Sequence, residues 1–144
     1  MSEFEMVLDC LEYFKKNDNY KEILLEVPYL SRCIDMVIVD KSYRMISIEF
    51  KVKNWRRAIS QAADHMKGAD KAYICMPEPP RGFSEEMIYQ LEKYGIGLLS
   101  YSTKQDELIA EVIVPKDSNS SWIEWKYSLQ KMINKVSSKN IFSL

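Results

Sequence analysis

Between Ile34 and Val52 the chain carries two strand-forming runs joined by a short polar turn, and this pairing constrains the fold more than any other part of the sequence. The first run, Ile34-Asp35-Met36-Val37-Ile38-Val39-Asp40, is rich in β-branched residues, the pattern of a largely buried strand. The second, Ile46-Ser47-Ile48-Glu49-Phe50-Lys51-Val52, alternates. Successive side chains of a strand point to opposite faces. Ile46, Ile48, Phe50 and Val52 therefore take one face, and Ser47, Glu49, Lys51 and Lys53 the other. Lys41-Ser42-Tyr43-Arg44 between the runs predicts an antiparallel hairpin. A helical rhythm follows at once, with Trp55, Ala58, Ile59, Ala62 and Met66 on one face and Gly68 as its stop.

The rest of the chain extends this unit. Phe4, Val7, Leu8, Leu11 and Phe14 predict a helix over residues 3 to about 16, with Ser2 as its N-cap. Asn17-Asp18-Asn19 ends it, and Glu22 to Val27 predicts a strand that Pro28 should stop. After the Trp55 helix come a strand over Lys71 to Met76 and a turn from Pro77 to Gly82. Next are a helix capped by Ser84 and running to about Tyr94, and strands over Ile96 to Tyr101 and Glu107 to Val114. A last helix should begin near Ser120 or Ser121 and bury Trp122, Trp125, Leu129, Met132, Ile133 and Val136. A helix between two strands of one sheet makes those strands parallel. The reading is therefore α/β, in the order αβββαβαββα: a mixed sheet flanked by helices, as a single domain over residues 1–144. An apolar fraction of 47% in 144 residues is enough for a real core.

A net charge of −1 argues against a protein that coats nucleic acid by bulk electrostatics. The neighbourhood of the hairpin differs, because Lys41, Arg44, Lys51, Lys53, Arg56 and Arg57 face Glu49 alone there. Cys10, Cys33 and Cys75 are too widely spaced for a zinc pair or a disulfide framework, and are expected as buried free thiols in a reducing cytosol. The N-terminus lacks the pattern of a secretory signal and no run approaches a membrane span, so the expected location is cytoplasmic, with no membrane partner. His65 is the one histidine, which excludes His-rich metal sites. No phosphate-cradling glycine loop is present.

Asp35 on the second strand, Glu49-Phe50-Lys51 on the third and a helix directly after resemble the PD-(D/E)xK nuclease superfamily, which has the restriction endonuclease-like fold, over roughly residues 3 to 102. The resemblance implies a metal-dependent nuclease that hydrolyses phosphodiester bonds, in DNA before RNA. It makes Asp35 and Glu49 ligands of Mg²⁺ or Mn²⁺, completed by the Phe50 carbonyl, with Lys51 holding the attacking water. The chemistry of the residues agrees, since Mg²⁺ binds through one or two carboxylates and keeps several waters. Such an ion lowers the pKa of its water and shields the leaving oxygen. The resemblance further implies an acidic residue from the first helix, for which Glu5 fits best with Glu12 competing, and Glu26 is another candidate. Gln61, on the helix after the lysine strand, is read as a catalytic-site residue. Lys53, Arg56 and Arg57 are read as contacts to nucleic-acid phosphates, and Arg32 as a nucleic-acid contact for which pairing with a carboxylate stays open. Ile34 stands where the family's name writes proline, which reduces the first half of the motif to Asp35.

His65, one turn past Gln61, is expected as a partly exposed helix residue at the rim of the same cleft. Trp122, Trp125 and Tyr127 lie among Lys126, Lys131, Lys135 and Lys139. They are expected as a packed face beside solvated lysines rather than a surface for single strands. Two further readings stay open. One is a catalytically inactive nuclease-fold module that binds nucleic acid or a protein partner in a defence or repair complex. The other is a homodimer that cuts both strands.

Overall fold

The two central runs pair as read. β2 (Arg32–Asp40) and β3 (Met45–Phe50) form an antiparallel hairpin, from Met36 opposite Ile48 to Val39 opposite Met45. The Asp40 carboxylate closes the turn by accepting from the N–H groups of Ser42 and Arg44, each at 2.9 Å. The computed structural model describes residues 2–29, 32–118 and 123–137. Around the hairpin it places α1 (Glu3–Phe14), β1 (Tyr20–Tyr29), α2 (Trp55–His65), β4 (Lys71–Pro77), α3 (Glu85–Tyr94), β5 (Gly97–Tyr101), β6 (Ile109–Ile113) and α4 (Ile123–Ser137). The predicted order αβββαβαββα is the observed one.

All six strands join one sheet, in chain order from β1 to β6. β1–β2 and β5–β6 are antiparallel like the hairpin, whereas β3–β4 and β4–β5 are parallel. The parallel pairs are the two that α2 and α3 connect, as a crossover requires. α1 covers one face, burying Met6, Cys10, Leu11 and Phe14 with Met36, Ile38, Ile48 and Phe50. The opposite face carries Leu129 and Ile133 of α4 over the β1–β2 end, and Ala58, Ile59, Ala62, Met87 and Leu91 of α2 and α3 over β4 and β5. Phe50 and Ile48 thus look toward α1, and Glu49 looks toward α2.

Some expectations need correction. β1 continues through Pro28 to Tyr29, because on an edge strand a missing N–H is tolerated. α2 ends at His65 with Met66 as its C-cap, and Gly68 lies in the following turn. Cys10 and Cys75 are buried, but Cys33, near the start of β2, is exposed. Ser120, Ser121, Trp122 and Lys139 lie outside the described residues, as does the side chain of Trp125. Leu129 and Ile133 are buried as expected, and Tyr127 is exposed with Lys131 over its ring. No helix among the described residues is long and apolar enough to cross a membrane.

Candidate active site

β2 and β3 cease to pair beyond Met36 and Ile48, and the next residues outward are Asp35 and Glu49. From there β3 continues against β4, with Lys51 N–H donating to the Cys75 carbonyl at 3.1 Å. Side chains replace the lost ladder. Phe50 N–H donates to Asp35 Oδ2 at 2.9 Å, and Asp35 N–H lies 3.4 Å from Glu49 Oε1. Each carboxyl therefore commits one oxygen to the opposite strand's backbone. The splayed end of a hairpin thus presents two carboxyl groups to each other at a fixed spacing.

Burial sets their electrostatics. Glu49 is only 2% exposed, and desolvation first, then the neighbouring Asp35 charge, pushes its carboxyl up to about 8. Desolvation also raises Asp35, opposed by the Phe50 N–H. Two carboxylates in one poorly hydrated place cannot both ionise without a compensating charge. Among the described residues no group of three or more Asp, Glu, His or Cys side chains converges on a point. A carboxylate pair nevertheless suits a hydrated Mg²⁺, which asks for no more.

The stability consequence has a definite sign. In the fold the neutral Glu49 carboxyl is favoured, so its contribution is complete below the ordinary value of 4.5 and is lost as pH rises to about 8. Urea unfolding in EDTA is expected to show falling stability across this window in the wild type and a flatter profile in Glu49→Gln. Equal slopes in the two proteins would mean that the Glu49 carboxyl does not drive the pH dependence.

The other expected residues are distributed unevenly. Lys51 follows β3 directly, and its Nζ lies 3.9 Å from Glu3 Oε1. Glu3, not Glu5, is thus the α1 carboxylate that the structure brings to the lysine. Glu5 closes a capping box instead, accepting from Ser2 N–H while its own N–H donates to Ser2 Oγ. Glu12 is exposed and pairs with Lys15 at 3.4 Å. Glu26 is exposed on β1, with a left-handed φ of 50°. The Ser-x-x-Glu spacing at residues 2–5 is the available signal that Glu5 serves the helix start.

On α2, Gln61 is half-buried, and its buried Oε1 has no hydrogen-bond partner among the described residues. His65 is a correction: it is buried, at 2% exposure, with Nδ1 3.6 Å from Glu49 Oε1. Desolvation pushes its imidazole down to about 4, so the ring is neutral at pH 7 and the contact is not an ion pair. Arg56 is engaged elsewhere, stacked over Trp55 at 4.2 Å and paired with Glu86 at 2.9 Å. It lines a cleft of about 390 Å³ between α2 and α3. Arg32, Lys53 and Arg57 are exposed and make no side-chain hydrogen bond or ion pair among the described residues. Asn54, left-handed at φ 61°, caps α2 between Lys53 and Arg57.

The sequence matches no protein-family model and no curated protein. Solved structures are more informative. A repair endonuclease from Pyrococcus abyssi superposes with a TM-score of 0.57 at 24% identity, over 71% of this chain and 47% of its own. EndoMS, in a complex with double-stranded DNA, superposes with a TM-score of 0.52 at 18% identity, over 67% and 43%. This chain has the restriction endonuclease-like fold. The protein SPO1766 of Silicibacter pomeroyi, whose function is unknown, follows the chain over 96% of its length and 89% of its own, with a TM-score of 0.64 at 13% identity. The chain spans a little under half of the repair endonuclease and of EndoMS. What it shares with them is the restriction endonuclease-like core.

Proposed function

We propose that the chain hydrolyses phosphodiester bonds in DNA, using Mg²⁺ or Mn²⁺ held by Asp35 and Glu49. The observation that carries this reading is the carboxyl pair where β2 and β3 separate, with Lys51 next along the chain. Its support is the fold shared with a repair endonuclease and with EndoMS on DNA. The Phe50 carbonyl is the further oxygen donor we assign. When bound, the cation supplies Lewis acidity and neutralises charge at the phosphate.

The chain's own groups divide the remaining work. Lys51 orients the attacking water and offsets negative charge on the phosphate, and Glu3, 3.9 Å away, holds the ammonium in place. Gln61 offers its unpartnered amide oxygen to the water or the substrate. Arg32, Lys53 and Arg57 contact flanking phosphates, which positions the duplex without reading its sequence. Selection of a DNA site we assign to a second copy or to a protein partner.

The test is incubation of the purified protein with plasmid, linear and single-stranded DNA in Mg²⁺, Mn²⁺ or EDTA, beside Asp35→Asn. Cleavage is expected with either metal, and is expected to disappear in EDTA and in the variant. Cleavage that persists in Asp35→Asn would place the activity elsewhere. Retention of DNA in a shift assay with no cleavage under any condition would favour the inactive binding module.

A further inference from the structure

We infer that His65 is the positioning residue for Glu49: in the assembled site its Nδ1–H donates to Glu49 Oε1 and so fixes which carboxylate oxygen is left for the cation. The inference deepens the proposed function and depends on it only for the role of the cation.

The starting point is a buried atom without a partner. Most buried polar groups in folded proteins are hydrogen-bonded, yet His65 Nδ1 has no hydrogen-bond partner among the described residues. Its nearest charged neighbour is Glu49 Oε1 at 3.6 Å, with both side chains almost fully buried. That separation is about half an ångström outside ordinary N–H···O reach. Catalytic hydrogen bonds are often long in the unliganded protein and tighten when the site is filled. Loss of ladder pairing beyond Met36–Ile48 leaves Glu49 without a strand partner on the β2 side, where it could make the remaining adjustment.

The tautomer decides what the contact can do. A neutral imidazole has one donor nitrogen and one acceptor nitrogen. With the proton on Nδ1, His65 attracts the Glu49 carboxylate. With the proton on Nε2, it turns a lone pair against a carboxylate oxygen. Among the described residues no other group is hydrogen-bonded to Nδ1: the Tyr29 ring of β1 lies edge-on at 6.5 Å, Asp64 precedes His65 on α2, and Arg32 of β2 contributes positive charge. Oε1 would then be held by two donors, Asp35 N–H at 3.4 Å and His65 Nδ1–H. Carboxylates that ligate a metal are commonly fixed by such outer hydrogen bonds, whose loss weakens metal affinity by about 10–100-fold.

Two measurements separate the pairing from the metal reading. His65 is the only histidine, so the imidazole nitrogens of ¹⁵N-labelled, metal-free protein report this residue alone. At about pH 9 the Nδ1–H tautomer is expected. The Nε2–H tautomer would overturn the inference whatever the enzyme does. Mn²⁺ titration of the wild type, His65→Leu and His65→Asn provides the second arm. His65→Leu is expected to bind about 10–100-fold more weakly and His65→Asn within a few-fold of wild type, because its amide N–H can stand near the position of Nδ1. Wild-type affinity in a folded His65→Leu would overturn the positioning role. An Nδ1–H tautomer in a wild type that binds no Mn²⁺ would support the His65–Glu49 pairing and sink the metal site instead.

Discussion

Lys51→Ala is expected to lower DNA cleavage by about 10²–10³-fold, the usual loss when one preorganised donor to developing charge is removed. The side chain is only 22% exposed and stands with its Nζ 3.9 Å from Glu3, in a neighbourhood that otherwise holds Asp35 and Glu49. Its removal leaves three acidic groups and no ammonium. Mn²⁺ affinity is therefore expected to stay the same or to tighten while the single-turnover rate falls, a combination that no general unfolding would produce. Lys51→Arg is expected to restore little, because a planar guanidinium does not replace a compact ammonium that must hold one water. A Lys51→Ala rate within about threefold of wild type would remove the lysine from the mechanism, since even the low end of the expected loss is far larger.

Phe50→Ala is expected to cost about 3–5 kcal/mol of stability, read from urea unfolding, against a total of about 5–15 kcal/mol for a domain. Phe50 is 1% exposed and belongs to the cluster beneath α1 that includes Met6, Cys10, Met36 and Ile48. Its side chain points away from the carboxyl pair, but its N–H donates to Asp35. The variant is therefore expected to lose cleavage as well, even under conditions where it remains folded. Phe50→Leu, which fills more of the space, is expected to lose less of both. Wild-type stability in Phe50→Ala would mean that α1 does not rest on this residue.

The elements and their order are legible in the sequence because the patterns are local. Alternation from Ile46 to Val52 assigns Glu49 to the face opposite Phe50, and the β-branched run beside it leaves one pairing for the hairpin. What alternation does not supply is helix phase. Glu3 and Glu5 are both acidic and two positions apart, which on a helix puts them on nearly opposite sides, so the choice between them depends on the cap. The burial of His65 is available in the spacing: it stands seven positions after Ala58 and three after Ala62, on the edge of the same helical stripe. Its polar side chain, not its phase, argues for exposure, and the packing of the end of α2 near Glu49 of β3 decides for burial. Arg56 reads as basic and near the motif, yet its pairing with Glu86 depends on where α3 returns, which no local pattern contains. Pro28 is similar, because its tolerance follows from the edge position of β1.

The strand order, running from β1 to β6 just as the chain does, bears on how the molecule assembles. Each new strand is laid beside the one made just before it, so no strand has to be inserted between two that are already paired. Sequence separations between neighbouring strands stay short, and folding rates rise as such separations fall. Asp35, Glu49, Lys51, Glu3 and His65 all precede β4, so a ribosome would have delivered every one of them before that strand is made. The hairpin that spaces the two carboxyl groups can close on its own. β4, however, supplies the backbone acceptor that anchors Lys51. A nascent chain would therefore hold both acids first and acquire its ordered lysine only once β4, about half-way along the chain, has been made.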